Sequence, residues 1–218
     1  MRVSSRAQRV LGALIEKALA TPQQYPLSLN ALRNACNQAT GRDPVVDYDE
    51  VRVDEGLADL REQQLVRTVF ARGSRTPKYE HLLDEALSIG APELAALALL
   101  LLRGPQTVGE LRTRSDRLHP FGSLEEADAV LERLASHHLG PFVERLPRQP
   151  GQKEPRDRHL LGHEDGGTEA PSGATDERTS EVNQLRAEVA ALREEVGALH
   201  AEVASLHDAS PPPPAAPD

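Results

Sequence analysis

The chain has 218 residues, of which 39% are hydrophobic and 3% aromatic, with no tryptophan, which leaves room for one large or two small domains with aliphatic cores. No run reaches the ~18 apolar residues that cross a bilayer, and the first residues lack an apolar stretch followed by a small-residue cleavage site, so a cytoplasmic protein without membrane contact is expected. The net charge of −9 is uneven: residues 165–218 carry 11 acids and 3 bases, whereas residues 1–164 carry 23 and 22.

From the N-terminus, Val10, Leu11, Leu14, Ile15 and Leu19 recur at helical spacing over residues 5–20, with Ser4 or Ser5 as cap and Thr21-Pro22 as stop. A second short helix begins after Ser28, with Leu29, Leu32 and Cys36 on one face. Cys36 is the one cysteine and reads as a small buried core residue. GRDP at 41–44 is a turn, and residues 47–62 form a third helix through Val53, Leu57 and Leu60. Alternating apolar and polar positions around Arg72-Gly73-Ser74 then predict a β-hairpin.

The same parts recur. APELAALALLLLR is almost wholly apolar but too short to span a membrane, so it is a central core helix. TVGELRTRSDRL is a short second helix, SLEEADAVLERLASH a third capped by Ser123, and residues 141–161 a second hairpin. GSRTPKYEHLL at 73–83 returns as GQKEPRDRHLL at 151–161. Weaker echoes pair Pro22-Gln23 with Pro105-Gln106, Leu32-Arg33 with Leu111-Arg112, and Leu57, Leu60 and Leu65 with Leu131, Leu134 and Leu139. Three helices and a hairpin are the parts of a winged helix-turn-helix. The expected fold is therefore mainly α with small β-hairpins: one winged-helix domain over residues 1–86 and a second over 87–163.

TPQQYPLSLNALRNACNQATGRDPVV (21–46), LVRTVFARGSRTPKYE (65–80), LLLRGPQTVGELRTRS (100–115) and GPFVERLPRQPGQKEPRDRHLL (140–161) resemble the YceH-like family of uncharacterised bacterial proteins. The resemblance covers most of residues 5–163. It implies tandem winged-helix domains followed by a helical tail, and it implies no settled activity.

Residues 164–180 form a Gly, Ser, Thr and acid-rich linker without periodicity. After it, Val182, Leu185, Val189, Leu192, Val196, Leu199, Val203 and Leu206 alternate at spacings of three and four, which places Val at every a and Leu at every d of a heptad over 181–207. Glu181, Glu188, Glu195 and Glu202 at g face Arg186, Arg193, His200 and His207 at e′ in a parallel pair, whereas an antiparallel pair would set Glu against Glu. A parallel homodimer through this coil is expected. Residues 208–218 are a Pro-rich tail that cannot join a core.

The residues offer little for catalysis. There is no phosphate-cradling Gly loop and no Cys pair, and His137-His138 on a helix lack ligand spacing, so no cofactor, metal or enzymatic activity is expected. His81 and His159, in the repeated His-Leu-Leu, read as packing residues. Duplex DNA is the expected partner, but the third helix, where such folds read bases, carries Asp47, Asp49, Glu50, Asp54, Glu55, Asp59 and Glu62 against Arg52 and Arg61. The basic surface lies on the hairpins instead: Arg67, Arg72, Arg75 and Lys78 on the first, Arg145, Arg148, Lys153, Arg156 and Arg158 on the second, with Arg112 and Arg114 on the short helix before it. Bases on exposed hairpins also serve simply to block edge pairing. The other reading is a protein-interaction scaffold whose acidic third helices and tail take a basic partner.

Overall fold

The structure, a computed structural model, describes residues 1–70, 73, 75–148 and 151–162. Arg72, the linker, the heptads from Val182 to Leu206 and the Pro-rich tail lie outside the described residues.

The first helix, α1 (Ser5–Ala20), starts where Ser4 Oγ accepts from the Ala7 N–H at 3.3 Å, and it buries Val10, Leu11, Leu14 and Ile15. A 3₁₀ turn, Pro22–Gln24, leads to the two-residue strand β1 (Leu27–Ser28). Helix α2 (Leu29–Cys36) follows, capped by Ser28 Oγ on the Ala31 N–H. The next helix, α3 (Glu50–Glu62), begins three residues later than the acids suggest, because Asp49 is its cap: the carboxylate accepts from the Arg52 N–H at 2.8 Å, where the helix dipole favours negative charge. Strands β2 (Val66–Phe70) and β3 (Pro77–His81) form the first hairpin, and β1 adds to β3 to give an antiparallel sheet of order β1-β3-β2. A short helix that the periodicity does not signal, α4 (Leu83–Leu87), then turns Leu83 and Leu87 into the core.

The second set opens with α5 (Ala91–Arg103), in which every residue from Leu94 to Leu102 is buried. After it come α6 (Val108–Ser115), with a reciprocal Thr107–Glu110 capping box, and α7 (Leu124–Ala135), capped by Ser123. Strands β4 (Val143–Arg145) and β5 (Asp157–His159) form the second hairpin. Among the described residues the architecture is thus seven α-helices with small antiparallel sheets.

An all-round apolar helix must be covered on every side. Helix α1 covers one side of α5, and Gly12 is what lets it approach: a Cβ there would lie 2.9 Å from Leu102 Cγ and 3.0 Å from Leu101 Cβ. Both helical sets share one apolar core through this contact. The turn at 41–44 closes the same seam. The Asp43 N–H donates to the Leu102 carbonyl at 2.9 Å, and the buried Arg42 guanidinium donates to both Glu16 oxygens, at 3.0 and 2.6 Å, and to the Ala35 carbonyl at 2.8 Å. A buried charge so fully partnered holds the turn in one geometry.

Register corrects two of the sequence echoes. Leu27 pairs with Tyr79, while in the second set Gln106 bridges Asp157; Tyr79 and Asp157 match in the repeated motif, so the partner of Pro105-Gln106 is Pro26-Leu27, not Pro22-Gln23. Likewise Leu65 donates to the Leu60 carbonyl and accepts from the Leu82 N–H, and Phe142 makes the matching bonds to Leu134 and Leu160. Phe142, not Leu139, therefore occupies the place of Leu65, and Leu139 is 58% exposed. The intervening loops differ in length, and spacing alone cannot follow a residue across such a change.

Candidate nucleic-acid interface

Each hairpin turns through a glycine with positive φ, Gly73 at 81° and Gly151 at 85°, a conformation that side chains with a Cβ rarely adopt. From there the registers coincide: Val66 faces His81 and Val143 faces His159. Both histidines end their strands with Nδ1 buried and without a hydrogen-bond partner. Burial pushes the His159 imidazole down to about 4, with Arg158 adding to the effect. It also lowers His81, where Asp84 Oδ1 at 3.4 Å pulls the other way. In both, burial disfavours the charged form. His137 and His138 lie beyond the end of α7 rather than on it, with ring centroids 4.4 Å apart.

The bases separate into two groups. Six of the arginines, on the hairpins and on α6, are engaged. Arg67 pairs with Glu80 and Arg158 with Glu144 across their strands. Arg145 pairs with Asp128 and, at 3.0 Å, with Asp157, a carboxylate only 2% exposed; the two carboxylates raise Arg145 above the usual arginine range, while burial pushes the Asp157 carboxyl up in spite of that pairing. Arg156 holds Glu110 at 2.7 and 3.2 Å. Arg114 donates to Gln106 Oε1 at 2.9 Å, and Arg112 reaches the Phe121 carbonyl at 3.4 Å.

Toward the tips the bases are open. Arg75, Arg148 and Lys153 are exposed and Lys78 is half-buried, and none of the four has an acid within ion-pair reach among the described residues. Arg75 and Lys153 occupy the same place in the repeated motif, two residues past the glycine. Of the eleven basic residues read from the sequence, these four are available to an outside anion; Arg72 lies outside the described residues.

The acids of α3 have internal work that their number in the sequence conceals. Asp59 accepts from the Ser4 N–H at 2.7 Å, Glu55 pairs with Arg6, Asp54 with Arg61 at 3.6 Å, and Glu50 lies 4.0 Å from Arg33. Asp59 and Glu55 fasten the start of α1 to α3 and Glu50 reaches α2, while the Asp54–Arg61 pair lies within α3 itself. Beside them runs a shallow groove of about 500 Å³ lined by Leu29, Glu50, Val51, Asp54, Glu55 and Ala58.

Among the described residues no helix is long and apolar enough to cross a membrane, and no group of three or more His, Cys, Asp or Glu is placed to hold a metal ion.

A family model described as "Protein of unknown function, DUF480" matches residues 3–152. A UPF0502 protein of Geotalea uraniireducens (strain Rf4) is 54% identical over 164 residues, spanning 75% of this chain and 74% of its own length. A UPF0502 protein of Serratia proteamaculans (strain 568) is 45% identical over 184 residues, 82% of this chain and 85% of its own. "UPF0502 protein YceH" of Salmonella paratyphi B (strain ATCC BAA-1250 / SPB7) is 46% identical over 157 residues, 70% and 73% respectively.

Proposed function

The chain belongs to the DUF480 family of proteins of unknown function, together with the YceH-like proteins that its sequence resembles, and on that premise we propose that it is a non-enzymatic, dimeric, tandem winged-helix protein that associates with duplex DNA through the tips of its two wings. In this reading each set of three helices and a hairpin is one winged-helix unit, and the heptads from Val182 to Leu206 join two chains in parallel. Such an assembly suits a transcriptional regulator. The observation that carries the DNA contact is the pair of matched tips: two hairpins of one register, each bearing open bases, Arg75 and Lys78 on one and Arg148 and Lys153 on the other. Phosphates are the ligand that such scattered, unpartnered cations fit.

Salt dependence tests it. Duplex affinity is expected to fall steeply with salt. Each tip base that touches a phosphate contributes roughly 0.9 to the logarithmic slope, so Arg75→Ala with Lys153→Ala flattens it by about 2. Arg158→Ala, which breaks an internal pair, leaves it unchanged. No duplex binding at ~50 mM salt overturns the reading.

A second reading rests on the groove beside α3, where Val51 is 66% exposed between acids. There the chain acts as a scaffold for a basic partner with an apolar anchor. A pull-down lost on Val51→Glu but unaffected by Arg75→Ala would favour it.

A further inference from the structure

Phenylalanine occurs three times in the chain. Phe121 and Phe142 are 4% and 6% exposed, whereas Phe70 is 63% exposed at the far end of β2. Alternation along the strand explains how it comes to be there. Val66, Thr68 and Phe70 share the side of the hairpin that faces the core; Val66 is buried, and the core ends before Phe70 is reached. Across the ladder Phe70 faces Pro77, so the inner side of the first wing overhangs as an apolar lip. Solubility does not call for this, because a polar residue at 70 would sit equally well on an edge strand.

The second hairpin repeats the arrangement. The Leu146 N–H donates to the Arg156 carbonyl at 2.8 Å, which extends the β4–β5 ladder by one position and places Leu146 where the first hairpin has Val69. The next residue, Pro147, falls at the place of Phe70 and is exposed. Each tip therefore combines an exposed apolar residue with open bases, Phe70 with Arg75 and Lys78, Pro147 with Arg148 and Lys153. On the first hairpin the strand acid Glu80 is already taken by Arg67, so among the described residues Arg75 and Lys78 are left without an acid partner beside the lip. A polyanion with an apolar interior fits that combination better than a protein surface does. Stacked bases between two phosphate rails are such a ligand, and Phe and Pro are among the side chains that open base steps from the minor groove.

We propose that Phe70 is a wedge that enters the minor groove and partly unstacks a base step while the tip bases hold the flanking phosphates, with Pro147 making the weaker equivalent contact on the second wing. This deepens the proposed DNA reading and rests on it. Unstacking bends the duplex toward the major groove by roughly 20–90°. Flexible pyrimidine–purine steps open most easily, so the site prefers TA or CA steps to A-tracts.

The test uses the full chain and a 30-base-pair duplex with a central TA step, carrying a donor and an acceptor dye at its ends. The wild-type protein is expected to shorten the end-to-end distance. Phe70→Ala, at an exposed site that leaves the fold intact by thermal melting, is expected to lose most of the bend and about tenfold in affinity, with the salt slope unchanged. Arg75→Ala is expected to do the reverse, lowering the slope and keeping the bend of what remains bound. Pro147→Ala should give a smaller loss of bend. Phe70→Ala binding and bending the duplex as the wild type does would overturn the wedge and leave the DNA reading standing. No binding by the wild type would overturn both. A change in sedimentation of Phe70→Ala without DNA would show Phe70 to be a protein contact and also overturn the wedge.

Discussion

At the base of the first hairpin an arginine on β2 holds a glutamate on β3, Arg67 to Glu80; at the base of the second a glutamate on β4 holds an arginine on β5, Glu144 to Arg158. One position along, the first hairpin buries Tyr79 beneath the Arg61 guanidinium, 5.5 Å from its ring centroid, and the second buries Asp157 against Arg145. The backbone of the two is nevertheless shared, down to the positive-φ glycine and the half-buried histidine opposite valine. Backbone demands are met by few residues, while a cross-strand ion pair works in either orientation. The features that survive in both hairpins are consequently those the geometry requires, plus the open base at Arg75 and Lys153, which no packing or register demand accounts for.

The largest effect that probes this comparison is at the exchanged core position. Tyr79 fills space as well as holding Arg61, so Tyr79→Ala is expected to cost about 3–4 kcal/mol, in the range of large-to-small aromatic changes in cores. Asp157→Ala removes one partner of a pair whose arginine keeps Asp128 and is 41% exposed on its side chain, so it should cost about 1–2 kcal/mol, less than a fully buried pair loses. Urea unfolding of both variants measures the difference. Equal costs would mean that the second hairpin depends on its ion pair as the first depends on its aromatic.

A smaller effect distinguishes the two histidines. In the unfolded chain His159 titrates near 6.5, but folded it does so at about 4. Between these values the unfolded state binds the proton and the folded state does not. The contribution of His159 to stability is therefore complete above 6.5 and is lost as the pH falls toward 4, about 2 kcal/mol of it between pH 7 and 5. Its counterpart His81 has Asp84 beside it to offset the charge, so His81→Gln should remove less of this pH dependence than His159→Gln. Denaturant midpoints at pH 7 and 5 would show it, and equal slopes for both variants would break the distinction.

Much of this was legible in the sequence where one local rule governed. The caps Ser4, Ser28 and Ser123, the buried run of α5 and both glycine turns follow from side-chain chemistry that acts within a few residues. Correspondences that cross a loop were less secure: Leu139 looks like the match of Leu65 by spacing, yet Phe142 takes that place because the chain after α7 is longer. The basic surface was legible as a composition and not as a site. Whether Arg145 or Arg156 is open depends on Asp128, Asp157 and Glu110, which only folding brings within reach. Phe70 carries no signal in the sequence for the same reason, since alternation places it on the inner face and only the extent of the core reveals that it overhangs.

The smallest predicted effect concerns the matched position at the end of the second helix of each set. Aligning Leu32 with Leu111 sets Cys36 against Ser115, and both are fully buried. Ser115 satisfies its hydroxyl by donating to the Arg112 carbonyl three residues back, at 2.8 Å. The equivalent carbonyl for position 36 is that of Arg33, which accepts the Asn37 N–H at 3.1 Å and retains a second lone pair. Cys36→Ser can therefore make the bond that Ser115 makes, and it is expected to cost no more than about 1 kcal/mol, well under the penalty of a buried hydroxyl left unpaired. The wild-type thiol gives a second readout. Burial pushes Cys36 up to about 12, so at pH 8 it holds almost no thiolate and should resist a thiol-reactive dye until the chain is denatured. A Cys36→Ser cost of several kcal/mol would show that the two helices, alike in caps and register, close their cores by different means.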